Sequence, residues 1–404
     1  MGRTGRWRPS RFCAGRSSKN NGAEMMLRLG AVVVAIGLLA APASGEVLIG
    51  ITPSLTGALA TSGEGEKQTL ERAIADLNAK GGVLGEKLRT VVVDDQCDAD
   101  AAVLAARKLV AEHVAAVFGH LCSSAAVPAS DIYEAAGIPM FATWSVDPRL
   151  TERGLRFVFR LAGRSDQEGA LVAELLAVRY GDKPIAVIHD AQMASVGLSG
   201  YVRTELRRRG LMEVLDAELR QDQVEFGDLI AHLRESRAVA LFCACFSQQA
   251  GLLVRQVWES GLKIATVTGN GASEDTFWIL AGADAAQATL IPQLPDWTRA
   301  HMPELTALIV RFQKDGVDTT NLTYQAYAGV QAWAQAAERA KSTHGTDVAP
   351  ILHEQRFDTV IGSIGFSEKG DIVGPVQWVW NRWRDGVIWE VSTEPLLRGE
   401  IVEK

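Results

Sequence analysis

The feature that most constrains this chain is a repeated alternation of short apolar runs with amphipathic stretches. VLIGITP (47–53) reads as a strand buried on both faces and closed by a turn. A helix is predicted over 67–79, where Leu70, Ile74 and Leu77 share one face and Gly81-Gly82 ends it. TVVVDD (90–95), a helix over 99–112, VAAVFG (114–119), a helix over 124–136 and IPMFA (138–142) complete one series. A second series follows: PIAVIHD (184–190), a helix over 197–209, EVLDAE (213–218), a helix over 226–235, AVALFCAC (238–245), a helix over 248–260 and IATVTGN (264–270). Strand–helix alternation of this kind builds doubly wound parallel sheets. A chain of 404 residues also exceeds what one core usually organises, so two such lobes are expected. Crossings between them are predicted at 159–165, at 288–295 and near 364–376, with helices over 303–314 and 323–341 returning to the first lobe. The expected division is 46–163 with 290–366 for lobe one, and 164–289 with 367–404 for lobe two.

The first 45 residues stand apart. A basic stretch leads to Met25-Met26-Leu27-Arg28, an apolar run from 29 to 41 and the small residues Ala41-Pro42-Ala43-Ser44-Gly45. That order is an export signal, with cleavage expected after Ala43 or Gly45 and translation expected to start at Met25 or Met26. The apolar run is too short to span a membrane, and no cysteine at the cut offers a lipid anchor. Removing the segment takes the net charge from −7 to near −13, which argues against nucleic acid or an anionic membrane as a partner.

Four cysteines remain after export: Cys97, Cys122, Cys243 and Cys245. An even set in an oxidising compartment invites pairing, and a Cys97–Cys122 bond would close a loop of about 25 residues. Cys243 and Cys245 fall two apart in an apolar run, on one face of a strand, and are expected as packed thiols.

In doubly wound sheets, ligands bind beyond the carboxyl ends of the strands. Those segments here are 52–56, 120–124 and 143–147 in the first series, and 189–194, 245–248 and 269–273 in the second. They are rich in Ser, Thr, Gly and Asn, residues that serve equally as helix caps and as ligand donors. The acidic group Asp94, Asp95, Asp98 and Asp100 lacks the glycine and distal glutamate of a calcium loop and reads as a strand end entering a helix cap. Histidine pairs, nucleophile elbows, phosphate loops and dinucleotide glycine spacings are all absent, so no catalysis, metal or cofactor is expected.

DDQCDADAA (94–102), GHLCSSAAVPASDIYEAAGIP (119–139), VIHDAQ (187–192) and FDTVIGSIGFSEKGDIVG (357–374) closely resemble periplasmic leucine/isoleucine/valine-binding proteins, with similarity running from about 46 to 385. The resemblance implies a type I periplasmic binding fold, two lobes joined by a three-strand hinge, closing on a small ligand. It implies a monomeric, non-enzymatic solute receptor that docks on an ABC permease of the inner membrane. A ligand sensor of the same fold, feeding a membrane receptor or regulator, is the alternative. It also implies a Cys97–Cys122 disulfide.

Carried over by position, the resemblance puts Ser123 where a serine binds an amino acid's α-carboxylate, beside Cys122. Trp144, Ser145 and Val146 form the neighbouring ligand segment, with Trp144 in place of a small residue and Val146 in place of a threonine. Ser62, Ala194 and Phe246 stand where tyrosines are expected. Asn270, followed by Gly271, takes the place of a glutamate that pairs with the ligand's ammonium. A buried ammonium deprived of its carboxylate costs about 3–5 kcal/mol. Either another acid such as Glu274 or Asp275 therefore substitutes, or the ligand is a carboxylate or amide without an ammonium there.

Overall fold

A computed structural model describes residues 45–403, apart from 221, 301 and 318–320. The predicted export signal lies outside the described residues. Five parallel strands form the first sheet: β1 (Glu46–Thr52), β2 (Lys87–Val92), β3 (Ala116–Gly119), β4 (Met140–Ala142) and β5 (Val158–Arg160), in the order β2-β1-β3-β4-β5. Successive residues of its strands feed opposite faces, which is why the runs are apolar throughout. Ile49, Ile51 and Phe118 pack with Leu70 and Ile74 of α1 (Ala60–Ala79) and with Tyr324 and Trp333 of α11 (Asn321–Ala340). Val117 and Met140 face the other way, onto Ala102, Ala106 and Leu109 of α2 (Ala99–Ala111) and Tyr133 of α3 (Ser123–Ala136).

The second sheet has seven strands: β6 (Ile185–Asp190), β7 (Leu215–Leu219), β8 (Ala240–Ala244), β9 (Ala265–Thr268), β10 (Thr289–Gln293), β14 (Val379–Arg384) and β15 (Val387–Val391). Their order is β15-β14-β10-β9-β8-β6-β7, parallel from β7 through β10 and antiparallel at β14 and β15. Val187 and Phe242 pack on α4 (Ser165–Tyr180) and α5 (Met193–Arg208). Ile188 and Cys243 pack on α6 (Gly227–Glu235), α7 (Ser247–Glu259) and α8 (Asp275–Ala281). After β10 the chain forms α10 (Pro303–Lys314), α11, α12 (Gly345–Glu354) and a small antiparallel sheet, β11 (Phe357–Thr359), β12 (Gly362–Phe366) and β13 (Ile372–Val373). α9 (Ala283–Gln287) precedes β10, and α13 (Thr393–Leu397) follows β15.

The structure departs from the expectations in four places. The first helix begins at Ala60, not 67: Gly63 lies so close to Ser54 that an added Cβ would stand 2.0 Å from the Ser54 carbonyl oxygen. Only glycine permits that approach, and its lack of a side chain hid the turn from the hydrophobic pattern. The expected change at 289/290 falls inside β10, all of which belongs to the second sheet, and that at 366/367 precedes β13, which still pairs with β12. The β14–β15 hairpin extends the second sheet with two tryptophan-bearing strands that the parallel pattern did not foresee. Cys243 and Cys245 are not packed thiols but a disulfide. β8 ends at Ala244, so Cys245 lies just past the strand, and the two Cα atoms are 5.3 Å apart, within disulfide reach.

Cys97 and Cys122 are also bonded, with Cα atoms 5.4 Å apart, tying the loop after β2 to the start of α3. Replacing both by serine is expected to lower the unfolding free energy by about 3–4 kcal/mol. Urea denaturation measures this directly, and a loss below about 1 kcal/mol would contradict the cross-link's role.

Candidate ligand-binding site

The carboxyl ends of the first sheet's strands carry a buried polar scaffold. Ser54 Oγ donates to Asp95 Oδ1 at 2.6 Å, the Cys97 amide donates to the same oxygen at 2.9 Å, and His120 Nδ1 lies 2.7 Å from Asp95 Oδ2. Tyr133 Oη is 3.3 Å from the other ring nitrogen of His120. Burial pushes the Asp95 carboxyl up, but His120, Ser54 and the Cys97 amide outweigh it and hold the group below the usual range. Asp94 accepts from the Leu55 amide and Thr56 Oγ1, and Asp98 caps α2 through the amides of Asp100 and Ala101. Asp94 and Asp98 therefore hold the loop and cap the helix, as a strand end running into a cap should, while Asp95 ties Ser54 and His120 together.

On this scaffold sits Ser123, the first residue of α3, with Cys122 as its N-cap. Ser123 Oγ accepts from Ser145 Oγ at 3.1 Å and from the Asp147 amide at 3.2 Å. The carbonyls of the 145–147 segment are turned the other way. Arg160 donates to the Ser145 and Asp147 oxygens at 2.8 and 2.9 Å, and Ser165 donates to the Val146 oxygen from its amide and its hydroxyl. Arg160 is fully buried; it also bonds Thr151 Oγ1 and, through Nε, Asp371 Oδ1 at 2.8 Å. Arg164 reaches the second Asp371 oxygen at 2.9 Å and pairs with Glu152 and Asp166. This network clamps the 145–147 segment to Arg160 and Arg164 and to the turn before β13. Trp144 is half-buried beside it.

Ser62, half-buried, lies in the first turn of α1, and Glu66 follows one turn later on the same helix face. Glu66 is buried, accepts from Thr143 Oγ1, and has a second oxygen that is buried without a partner. Burial, reinforced by the nearby Asp95 and only partly offset by Thr143, pushes its carboxyl up to about 8.

At the second sheet, Asp190 accepts the Gln192 amide at 3.0 Å and the Phe246 amide at 2.8 Å, tying the ends of β6 and β8 together. Phe246 is 47% exposed, and Ala194 is exposed at the start of α5. Asn270 and Gly271 form a single helical turn after β9. Ser247 Oγ donates to the Gly271 carbonyl and accepts the Glu274 amide, while the Asn270 amide donates to Glu168 Oε1 at 2.8 Å. Glu168 lies in the first turn of α4, and burial pushes its carboxyl up to about 8 against that hydrogen bond. Tyr201 of α5 lies within electrostatic reach of Asp147 and Arg149: burial raises its phenol and Asp147 raises it further.

The residues picked out by sequence thus gather into two groups. Cys122, Ser123, Trp144, Ser145 and Val146, with Ser62 on α1, lie beyond the first sheet. Phe246, Asn270 and Gly271 lie beyond the second. Arg160, Asp371, Glu66 and Glu168 were not anticipated, because each depends on contacts between segments far apart in the chain.

Two wound sheets joined by repeated crossings, each with a polar group at its strand ends, define the class as a two-lobed type I solute-binding protein. The family model described as periplasmic binding protein matches residues 46–378, and the chain belongs to that family. It is 33% identical over 344 residues to the Leu/Ile/Val-binding protein homolog 2 of Brucella abortus (strain 2308), covering 84% of this chain and 92% of that protein. It is 31% identical over 353 residues to the leucine-, isoleucine-, valine-, threonine-, and alanine-binding protein of Pseudomonas aeruginosa, covering 87% and 94%. Among solved structures, the leucine binding protein LivK from Thermotoga maritima superposes with a TM-score of 0.71 at 23% identity, over 86% of this chain and 98% of that one. LivJ from Streptococcus pneumoniae in complex with isoleucine gives 0.71 at 20% identity, over 89% and 100%. Membership in this family implies a periplasmic location.

Proposed function

We propose that the two groups are the walls of one interlobe cleft, and that the chain is the solute-binding subunit of an ABC importer for a small amino acid. The N-terminal segment 1–45 serves as its export signal, the partner is an inner-membrane permease, and the working form is a monomer. The observation that carries this reading is the Ser123 hydroxyl, held between Ser145 Oγ and the Asp147 amide at the start of a 14-residue helix. With its oxygen taken by those two donors, the Ser123 hydroxyl keeps its own proton to donate at a helix N-terminus, which suits a carboxylate. The curated relatives above, named for leucine, isoleucine and valine, support an amino acid as its bearer. The half-exposed Phe246 supplies apolar surface on the opposite wall.

A thermal-shift screen tests the proposal on protein refolded to remove co-purified solute. The panel holds the common amino acids beside small carboxylates, keto acids and amides. At a hundredfold excess over Kd the cognate solute stabilises by about 2.7 kcal/mol, and a rise of several degrees is expected. A flat response to every amino acid would refute this assignment of ligand.

A further inference from the structure

This inference rests on the reading above and names the group that receives the ligand's ammonium. An amino acid held by its carboxylate on the Ser123 wall presents a cation to the cleft, and Asn270 offers that cation no charge. The acids nearest in sequence do not supply it: Glu274 and Asp275 are both exposed. Asp190 is spent on the amides of Gln192 and Phe246, and Asp95 on Ser54, Cys97 and His120. Glu66 belongs to the first-sheet side, one helical turn from Ser62 and bonded by Thr143, beside the carboxylate rather than across from it.

Glu168 remains. It is 2% exposed and bonded to the Asn270 amide, and the bare Cα of Gly269 lies beside it. A Cβ on Gly269 would stand 3.6 Å from Glu168 Oε1 and 2.7 Å from Leu198 Cδ2, so a side chain there would crowd the approach to the carboxyl. We propose that Glu168 is the carboxylate that pairs with the ammonium of an amino-acid ligand, replacing an acid at position 270. Asn270 is held on Glu168 by its own amide and completes the wall. Neighbouring titratable groups are Asp166, paired with Arg164, and Tyr201, packed against Gly169; neither occupies the Glu168 carboxyl. Burial keeps Glu168 protonated in the empty protein near neutral pH. Entry of the ammonium then displaces that proton to the buffer.

The test titrates refolded protein calorimetrically with L-leucine and with 4-methyl-2-oxopentanoate, the same carboxylate without an ammonium. Buffers of different ionisation enthalpy near neutral pH count the protons. Wild type is expected to prefer leucine by at least about a hundredfold and to release about one proton. Glu168→Gln is expected to lose about a hundredfold for leucine, bind both solutes alike and release none, while Glu274→Gln, at an exposed acid, stays within about threefold. The wild-type proton count needs no variant and stands even if Glu168→Gln folds poorly. Leucine binding by Glu168→Gln within about threefold of wild type, or wild-type binding without proton release, would overturn the role of Glu168 and leave the cleft reading intact. A wild-type preference for the keto acid would do the same. Failure of the whole amino-acid and carboxylate panel would overturn both.

Discussion

Asp371→Ala is expected to destabilise the empty protein by about 3–5 kcal/mol, because it strands the fully buried Arg160 guanidinium without its carboxylate. The Arg160–Asp371 pair is not a surface ion pair of small worth: the Arg160 side chain is 0% exposed and that of Asp371 15%. The same carboxylate also accepts from Thr151 Oγ1 and Arg164, so one substitution opens a network that joins the first crossing, the turn before β13 and the 145–147 segment. Affinity should fall along with stability under the proposed function, since Arg160 orders the Ser145 and Asp147 carbonyls beside Ser123. Asp371→Asn keeps acceptors but removes the charge, and its loss should be intermediate. Urea denaturation of the three proteins decides the matter; a loss below about 1 kcal/mol for Asp371→Ala would show that Arg160 finds its counter-charge elsewhere.

The second large effect is on pH. Glu66 and Glu168 both have folded-state pKa values near 8 against an ordinary value of 4.5. A carboxyl raised in this way stabilises the fold in its neutral form. That contribution is fully present below the unfolded value and is lost as pH rises towards 8, at about 1.4 kcal/mol per pH unit for each group. The empty protein is therefore expected to lose up to about 5 kcal/mol between pH 5.5 and 7.5. The depressed carboxyls Asp95, Asp76 and Asp147 act in the opposite direction, but only as pH falls through the range below their ordinary value of 3.8. Glu66→Gln with Glu168→Gln should flatten the slope across the neutral range. Unfolding midpoints at several pH values would show this, and an unchanged slope in the double variant would remove both groups from the account.

Much of this architecture was legible in the sequence because the strands are buried on both faces. Ile49, Val117, Ile188 and Phe242 all lie in unbroken apolar runs, and the helices that cover them show their faces through residues such as Leu70 and Ile74. The start of α1 was hidden because its signal is an absence, the missing side chain of Gly63 against Ser54. Local polar chemistry was readable where a strand end meets a cap, as with Asp98, whose side chain takes the Asp100 and Ala101 amides. It was not readable where it depends on distant partners: Arg160 meets Asp371, and Glu168 meets Asn270, only through folding. Cys243 and Cys245 were misread because a regular strand keeps such thiols apart, whereas β8 stops at Ala244, between them.

Closure of the two proposed walls on one small amino acid is measured by isothermal titration of refolded wild type and Ser123→Ala with the amino acid chosen by the thermal-shift screen. One site per chain is expected in the wild type, with a loss of at least about tenfold in affinity for Ser123→Ala, which lacks the hydroxyl proposed to receive the carboxylate. Equal affinity in the two proteins, or a stoichiometry other than one, would contradict that reading.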